Sequence, residues 1–167
     1  MDNEIRSEDE AVYQHGIGNA RKNEDDLINR ALFILEDRLR VHGEAMHSPD
    51  ASKQYLRLKT SSLEHEVFSV LFMDNKHRVI DFQEMFRGTI DGASVWPREI
   101  LKEALKVNAT AVILSHNHPS GDPTPSAADK RITERVRDAL ELISVRVIDH
   151  IVVGAHRAVS MVDEGLI

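Results

Sequence analysis

The sequence predicts a single α/β domain that is preceded by a helical extension. Its 167 residues fit one domain, for which about 100–200 residues is the usual length. Stretches with the spacing of a helix alternate with short apolar stretches that favour strands, and no internal repeat interrupts the alternation. The chain is 41% hydrophobic, which is enough for one modest core.

The N-terminal part differs from the rest in composition. Residues 1–22 are polar and acidic, and we predict a tail that is disordered or only partly ordered. Residues 23–47 are predicted to hold one helix, with Asn23 as its N-cap, apolar residues at helical spacing to about Val41, and Gly43 past its end. The remainder, residues 48–167, is predicted to be the folded domain.

Within residues 48–167, turn and cap residues mark the elements. Ser48 is predicted to cap a helix that has Pro49 at its first position and Asp50 in its first turn. The apolar stretches 67–72 and 78–82 flank a turn at 74–76 and predict a hairpin, and 84–91 is predicted as another strand. Further on we predict a helix from Pro97, a buried strand over 109–115, a helix over 126–143, a buried strand over 145–153 and a short strand over 158–161.

The composition excludes several classes of protein. The chain has no cysteine, so disulfides, iron–sulfur clusters and Cys-ligated zinc are excluded, and a transition metal must be held by His, Asp or Glu. No apolar run approaches the about 20 residues of a membrane helix, and the polar first residues predict no secretory signal. We therefore expect a cytoplasmic protein that does not associate with membranes.

The net charge of −7 is concentrated near the N-terminus. Residues 1–50 carry 6 Lys and Arg against 12 Asp and Glu, whereas residues 51–167 carry 15 against 16. Cationic side chains that neutralise phosphates supply most of the non-specific affinity of proteins for nucleic acid. This distribution therefore predicts that any binding to DNA is weak.

The clearest indication of chemistry lies in residues 116–129. His116 and His118 follow an apolar stretch, and side chains two apart on a strand share a face, so both imidazoles can bind one ion. Ser126 is placed to cap the next helix, and Asp129 in its first turn leans back toward the preceding loop. If that loop folds the helix start over the strand end, Asp129 meets the histidines. Two His and one carboxylate with an open fourth position are typical of hydrolytic zinc sites.

Each part of this pattern also has a purely structural interpretation. Ser126-x-x-Asp129 has the form of a capping box, and a His-x-His pair alone is seldom a metal site. The co-occurrence of both patterns on either side of a proline-rich loop favours the metal site.

The same residues resemble a known family. The spacing His116-x-His118-x7-Ser126-x2-Asp129 matches the signature of the JAMM (MPN-type) metalloproteases. From about residue 48 to the C-terminus, the sequence is similar to the RadC family of that superfamily. The matching strings are His116-Asn117-His118-Pro119-Ser120-Gly121, Glu66-Val67-Phe68, Arg87-Gly88-Thr89-Ile90, Pro97-Arg98-Glu99 and Asp149-His150.

The resemblance implies a cytidine-deaminase-like α/β/α layered fold and a zinc-dependent hydrolase that cleaves an amide bond, peptide or isopeptide-like, in a protein or peptide substrate. Its Zn2+ ligands would be His116, His118 and Asp129. Ser126 would hydrogen-bond the reacting oxygen, and Glu66 would be the general base, with Glu64 as the fallback.

Several alternatives stay open beside this interpretation. Long RadC relatives carry an N-terminal helix-hairpin-helix segment that suggests DNA binding, and here only residues 15–20 hint at its hairpin, so the resemblance is to a short form. A non-catalytic zinc-containing module linked to DNA repair or mobile-element function is the second hypothesis.

A zinc nucleobase deaminase is excluded because it needs cysteine ligands. Asp149-His150 would either orient a metal-bound histidine or serve capping and packing.

Overall fold

The structure is a computed structural model of the chain, and it describes residues 22–35, 37, 46, 48–88 and 95–167. The helices are α1 (22–35), α2 (Pro49–Thr60), α3 (Pro97–Lys106) and α4 (Ala127–Glu141). The strands are β1 (Val67–Met73), β2 (Val79–Arg87), β3 (Ala111–Asn117), β4 (Arg146–Val153) and β5 (Ala158–Ser160). Within these ranges, the helices are too short or too polar to span a membrane.

The chain divides into two compact units, Met1–Glu36 and Asp37–Ile167. In the first unit, α1 is already helical at Lys22, so the prediction that Asn23 is its N-cap is wrong. A capping residue has a non-helical backbone, and the helix instead begins upstream of the acidic residues that suggested its first turn. The tail was predicted over residues 1–22, but Lys22 belongs to α1. Residues 1–21 and the predicted helix end near Val41 lie outside the described residues.

The second unit is built on a five-stranded sheet in the order β2-β1-β3-β4-β5. Strands β3 and β4 are parallel, and the other neighbouring pairs are antiparallel. The hairpin of β1 and β2 is confirmed. The separate strand over 84–91 is wrong, because residues 84–87 continue β2 through a register shift beside Phe68 and Ser69, while 89–91 lie outside the described residues. A bulge of this kind lets a strand bend without ending.

Helices cover both faces of this sheet. Helix α2 packs over one apolar cluster, which includes Leu56, Leu71 and Ile113. Helices α3 and α4 pack over a second cluster on the other face, which includes Ile100 and Val136. The predicted α/β/α layering of the domain is confirmed.

Strand β3 lies in the centre of the sheet, and all seven of its residues are buried. Val112 and Leu114 belong to the cluster beneath α3 and α4, whereas Ala111 and Ile113 belong to the cluster beneath α2. Because side chains alternate along a strand, His116 continues the row of Val112 and Leu114 and faces α4.

Helix α4 brings further polar groups to the same end of β3. Its N-cap is Ser126, and the parallel crossover from β3 to β4 places this helix start beside the C-terminal end of β3. The buried stripe of α4 includes two polar residues, Asp129 and Thr133. Its apolar members, Ile132, Val136 and Leu140, pack on the sheet.

Candidate metal centre

Three potential metal ligands converge where β3 ends and α4 begins. One ligand atom from each of His116, His118 and Asp129 lies within 4.8 Å of the others. The Nε2 atoms of the two histidines are 2.9 Å apart, and His116 Nε2 lies 3.4 Å from Asp129 Oδ1. The structure therefore brings together the three residues that the sequence pattern indicated.

His116 is held inside the core. Its side chain is fully buried, and the ring of Phe68 from the paired position on β1 lies parallel to it, with 6.4 Å between centroids. Burial lowers the pKa of His116 to about 4, the Asp129 carboxylate opposes this shift, and His118 adds to it. A neutral imidazole is the form that binds metal, so burial keeps His116 competent well below neutral pH.

The two carboxylate oxygens of Asp129 differ in their hydrogen bonding. Oδ2 accepts a hydrogen bond from the backbone N–H of Ser126 at 2.6 Å, and Ser126 Oγ accepts one from the N–H of Asp129 at 3.2 Å. This is the capping box, so the structural interpretation of the motif is also correct. The other oxygen, Oδ1, is buried and has no hydrogen-bond partner among the described residues.

This unpartnered oxygen bears on whether the residues fit a metal ion. A buried carboxylate oxygen without a partner is costly, and here it faces the Nε2 atoms of two histidines. Two imidazole nitrogens and one carboxylate oxygen are ligands that zinc accepts. The residues therefore fit a divalent transition metal.

His118 is held by a loop and is only half-buried. Its backbone N–H donates to the carbonyl of Val153 at 2.8 Å, and its Nδ1 lies 2.6 Å from the carbonyl oxygen of Asp122. The Asp122 carboxylate in turn accepts hydrogen bonds from the backbone and the hydroxyl of Thr124. The position of His118 therefore depends on the fold of residues 119–126.

Glu66 lies at the start of β1 and lines a cleft that His118 and Pro119 also line. In the register of β1 and β3, Phe68 pairs with His116, so continuing the same register places Glu66 opposite His118. Glu64 lines the same cleft from an exposed position. The structure thus brings Glu66 to the mouth of the candidate centre.

Asn117 fixes the segment that carries Glu66, and this role was not foreseen from the sequence. Its side chain faces away from the histidines, accepts a hydrogen bond from the N–H of Val67 at 2.8 Å and donates to the carbonyl of His65 at 3.0 Å. The residues on both sides of Glu66 are therefore tied to the end of β3. The sequence could have predicted this role, because a polar residue between the two histidines on a buried strand needs hydrogen-bond partners on the opposite face of the sheet.

His150 and Thr133 complete the surroundings of His116. His150 is fully buried, with Nε2 2.9 Å from His116 Nδ1 and Nδ1 2.6 Å from Thr133 Oγ1. Burial, with smaller contributions from His116 and His118, holds the pKa of His150 well below its ordinary value. Asp149 instead accepts hydrogen bonds from the backbone of His150 and of Val162. Of this pair, His150 therefore contacts the His116 side chain, whereas Asp149 bonds backbone groups.

A layered α/β domain with a His-His-Asp group at this position is the arrangement of a JAB-type domain. The family model described as "RadC-like JAB domain" matches residues 46–166 of this chain. The chain belongs to the RadC family.

Related proteins agree with this assignment. A UPF0758 protein of Vibrio cholerae is 55% identical over 145 residues, which cover 87% of this chain and 90% of the relative. A second UPF0758 protein of that organism is 55% identical over 134 residues, or 80% of this chain and 85% of the relative. A UPF0758 protein of Nitrosococcus oceani is 53% identical over 133 residues, and the match spans only 59% of that longer relative.

Proposed function

We propose that this protein is a zinc-dependent hydrolase of the JAMM class that cleaves an amide bond, peptide or isopeptide-like. The observation that carries the proposal is the convergence of three ligand atoms within 4.8 Å at the mouth of a cleft that Glu66 also lines. The JAB-type family of the chain supports the same class of reaction.

In this proposal, His116, His118 and Asp129 hold the metal. When bound, zinc lowers the pKa of water toward about 7 and polarises the carbonyl of the scissile bond. Three of the described residues converge here, and zinc usually has four ligands, so one coordination position is left for water or substrate. A closed structural site would use four protein ligands, and this difference favours the hydrolase over a non-catalytic zinc-containing module.

Two side chains of the protein act on the substrate in this proposal. The Glu66 carboxylate accepts the proton of the attacking water and then delivers it to the leaving amine. The Ser126 hydroxyl uses its oxygen to accept from the Asp129 N–H, so its own hydrogen is left to donate to the carbonyl oxygen as negative charge develops there.

The substrate in this proposal is a protein or peptide. Duplex DNA is disfavoured as a partner because residues 51–167 are nearly neutral and residues 1–50 are acidic. We expect DNA binding that is weak and lost at moderate salt.

The test separates the base from the ligands. Glu66→Gln keeps the size of the side chain but removes its basic oxygen, so zinc content should stay at about one ion per chain while turnover falls by roughly 10²–10⁴. Glu64→Gln is the matched control, since Glu64 lines the same cleft, and it should retain turnover. Zinc is measured by elemental analysis, and turnover with a panel of internally quenched peptides and lysine-linked isopeptides.

Two results would contradict the proposed mechanism. Retained turnover in Glu66→Gln would make Glu66 a surface carboxylate, and loss of zinc in the same variant would make it a fourth ligand.

A further inference from the structure

A chain of buried hydrogen bonds leads from the backbone of α4 to His116. Thr133 Oγ1 lies 2.6 Å from the carbonyl oxygen of Asp129 and also 2.6 Å from His150 Nδ1. His150 Nε2 lies 2.9 Å from His116 Nδ1, and His116 Nε2 then faces His118 and Asp129. The three side chains that form this series of hydrogen bonds are fully buried: Thr133, His150 and His116.

The positions of the hydrogens follow from what each group can donate. A carbonyl oxygen only accepts, so the single hydroxyl hydrogen of Thr133 is donated to Asp129. The hydroxyl oxygen must then accept from His150, whose hydrogen is therefore on Nδ1. A neutral imidazole has one ring hydrogen, so His150 Nε2 accepts from Nδ1–H of His116. His116 Nε2 is left with a lone pair.

A single hydrogen bond places the ring hydrogen of His118 on the same nitrogen, Nδ1. Its Nδ1 lies 2.6 Å from the carbonyl of Asp122, which can only accept, so Nδ1 carries a hydrogen, and in the neutral imidazole Nε2 then carries a lone pair. Two lone pairs then face each other at 2.9 Å beside the unpartnered Oδ1 of Asp129. Such an arrangement is stabilised by a cation.

We propose that Thr133 and His150 are positioning residues that fix His116 as the Nδ1–H tautomer, with the Nε2 lone pair directed to the metal. The inference rests on the proposed function only in taking a metal ion as the group that the lone pair meets. If the Thr133 hydroxyl is removed, His150 loses the acceptor of its Nδ1–H. His150 can then carry its hydrogen on Nε2, which donates to His116 Nδ1 and moves the hydrogen of His116 onto the ligand nitrogen.

The alternative is that Thr133 only stabilises α4. Threonine hydroxyls often bond the carbonyl four residues before them, and Thr60 does so on α2, where it donates to Leu56 at 2.9 Å. Thr60 is also fully buried and lies on the opposite face of the sheet. Thr60→Val and Thr133→Val therefore remove the same kind of hydrogen bond, but only the second removes a partner of His150.

The first experiment measures affinity for Zn2+ by competition with a chromophoric chelator at neutral pH. Loss of a group that orients a ligand typically lowers metal affinity 10–100-fold, so we expect that decrease for Thr133→Val. Thr133→Ser keeps the hydroxyl and should bind within a few-fold of the unmodified protein, and so should Thr60→Val. Equal affinities of Thr133→Val and Thr60→Val would overturn the proposal.

The second experiment needs no variant. Long-range 1H–15N correlation spectra of the metal-free full chain distinguish the two imidazole tautomers, and we expect Nδ1–H for His116, His118 and His150. Nε2–H on His116 would overturn the proposal even if the protein binds zinc. The tautomers are read without metal or substrate, so an absence of hydrolysis would count against the proposed function and leave this result standing.

Discussion

His116 and His118 lie two residues apart on the chain, yet different parts of the molecule hold them. His116 and Asp129 form the core half of the centre, which is buried between β3 and α4 and is supported by His150 and Thr133. His118 forms the loop half, which is half-exposed and is supported by the backbone of Asp122. Both halves present an Nε2 atom to the same point.

The difference shows how a candidate metal centre can be both rigid and accessible. A side chain inside a close-packed core is fixed by its neighbours, whereas a loop allows one candidate ligand to border an open cleft. A loop ligand then needs another support, and here prolines 119, 123 and 125, the Asp122–Thr124 hydrogen bonds and the contact of Gly121 with Ala155 supply it. The two halves should therefore respond differently to the same kind of change.

The largest contrast should appear when each histidine is replaced by alanine. Both His116→Ala and His118→Ala should lose tight zinc binding, because each removes a ligand. In the metal-free state, His116→Ala should cost about 2–5 kcal/mol of unfolding free energy, since it leaves a core cavity and an unpaired His150 Nε2. His118→Ala should cost no more than about 1 kcal/mol. Urea denaturation with a chelator present measures both values, and equal costs would show that the two halves are not held differently.

A glycine beneath the loop offers a way to disturb the loop half alone. A Cβ at Gly154 would overlap the carbonyl oxygen of Gly121 and lie 2.7 Å from Pro123 Cδ, so Gly154→Ala must displace the loop. We expect a loss of about 1–3 kcal/mol of stability from this overpacking, together with weaker zinc binding.

The matched control for this change is Gly165→Ala. It introduces a side chain at a positive φ of 65°, where a Cβ meets nothing within 4 Å. This variant should lose stability only because alanine is strained at a positive φ, and it should bind zinc as tightly as the unmodified protein. A Gly154→Ala protein with unchanged zinc affinity would mean that His118 does not depend on the loop.

The core half should also make the metal-free protein sensitive to acid. Burial lowers the pKa of His116 to about 4, opposed by Asp129 and assisted by His118, whereas an unfolded histidine titrates near 6.5. The unfolded state therefore binds more protons between these values, so stability is greatest above pH 6.5 and falls as the pH drops toward 4. The loss from His116 should be about 1 kcal/mol between pH 7.5 and 5.5.

Urea denaturation of the chelator-treated protein at these two pH values measures the effect. His116→Phe keeps an aromatic ring without a titrating group and should reduce the dependence, while removal of the exposed His156 by substitution with alanine should not. A His116→Phe protein with an unchanged pH dependence would contradict the assignment.

Most elements of the domain could be predicted because their signals are local. Ser48 with Pro49 marks the start of α2, Ser126 marks that of α4, and the turn at 74–76 marks the hairpin. One error arose where a local signal competed with strand pairing. Residues 84–87 remain part of β2 because β1 pairs with them, although the sequence predicted a new strand over 84–91.

The sequence by itself determined the types of the three candidate ligands and their directions. His-x-His on a strand points both rings to one face, and an aspartate in the first turn of a capped helix points back to its loop, since both rules depend only on backbone geometry within a few residues. Tertiary structure alone decided what surrounds them. His150 is 34 residues from His116, and Asn117 bonds Val67 across 50 residues, through strand register and layer packing that no local pattern specifies. The tautomer of His116 belongs to this second group, because a ring hydrogen is placed by whichever donor or acceptor the fold sets against it.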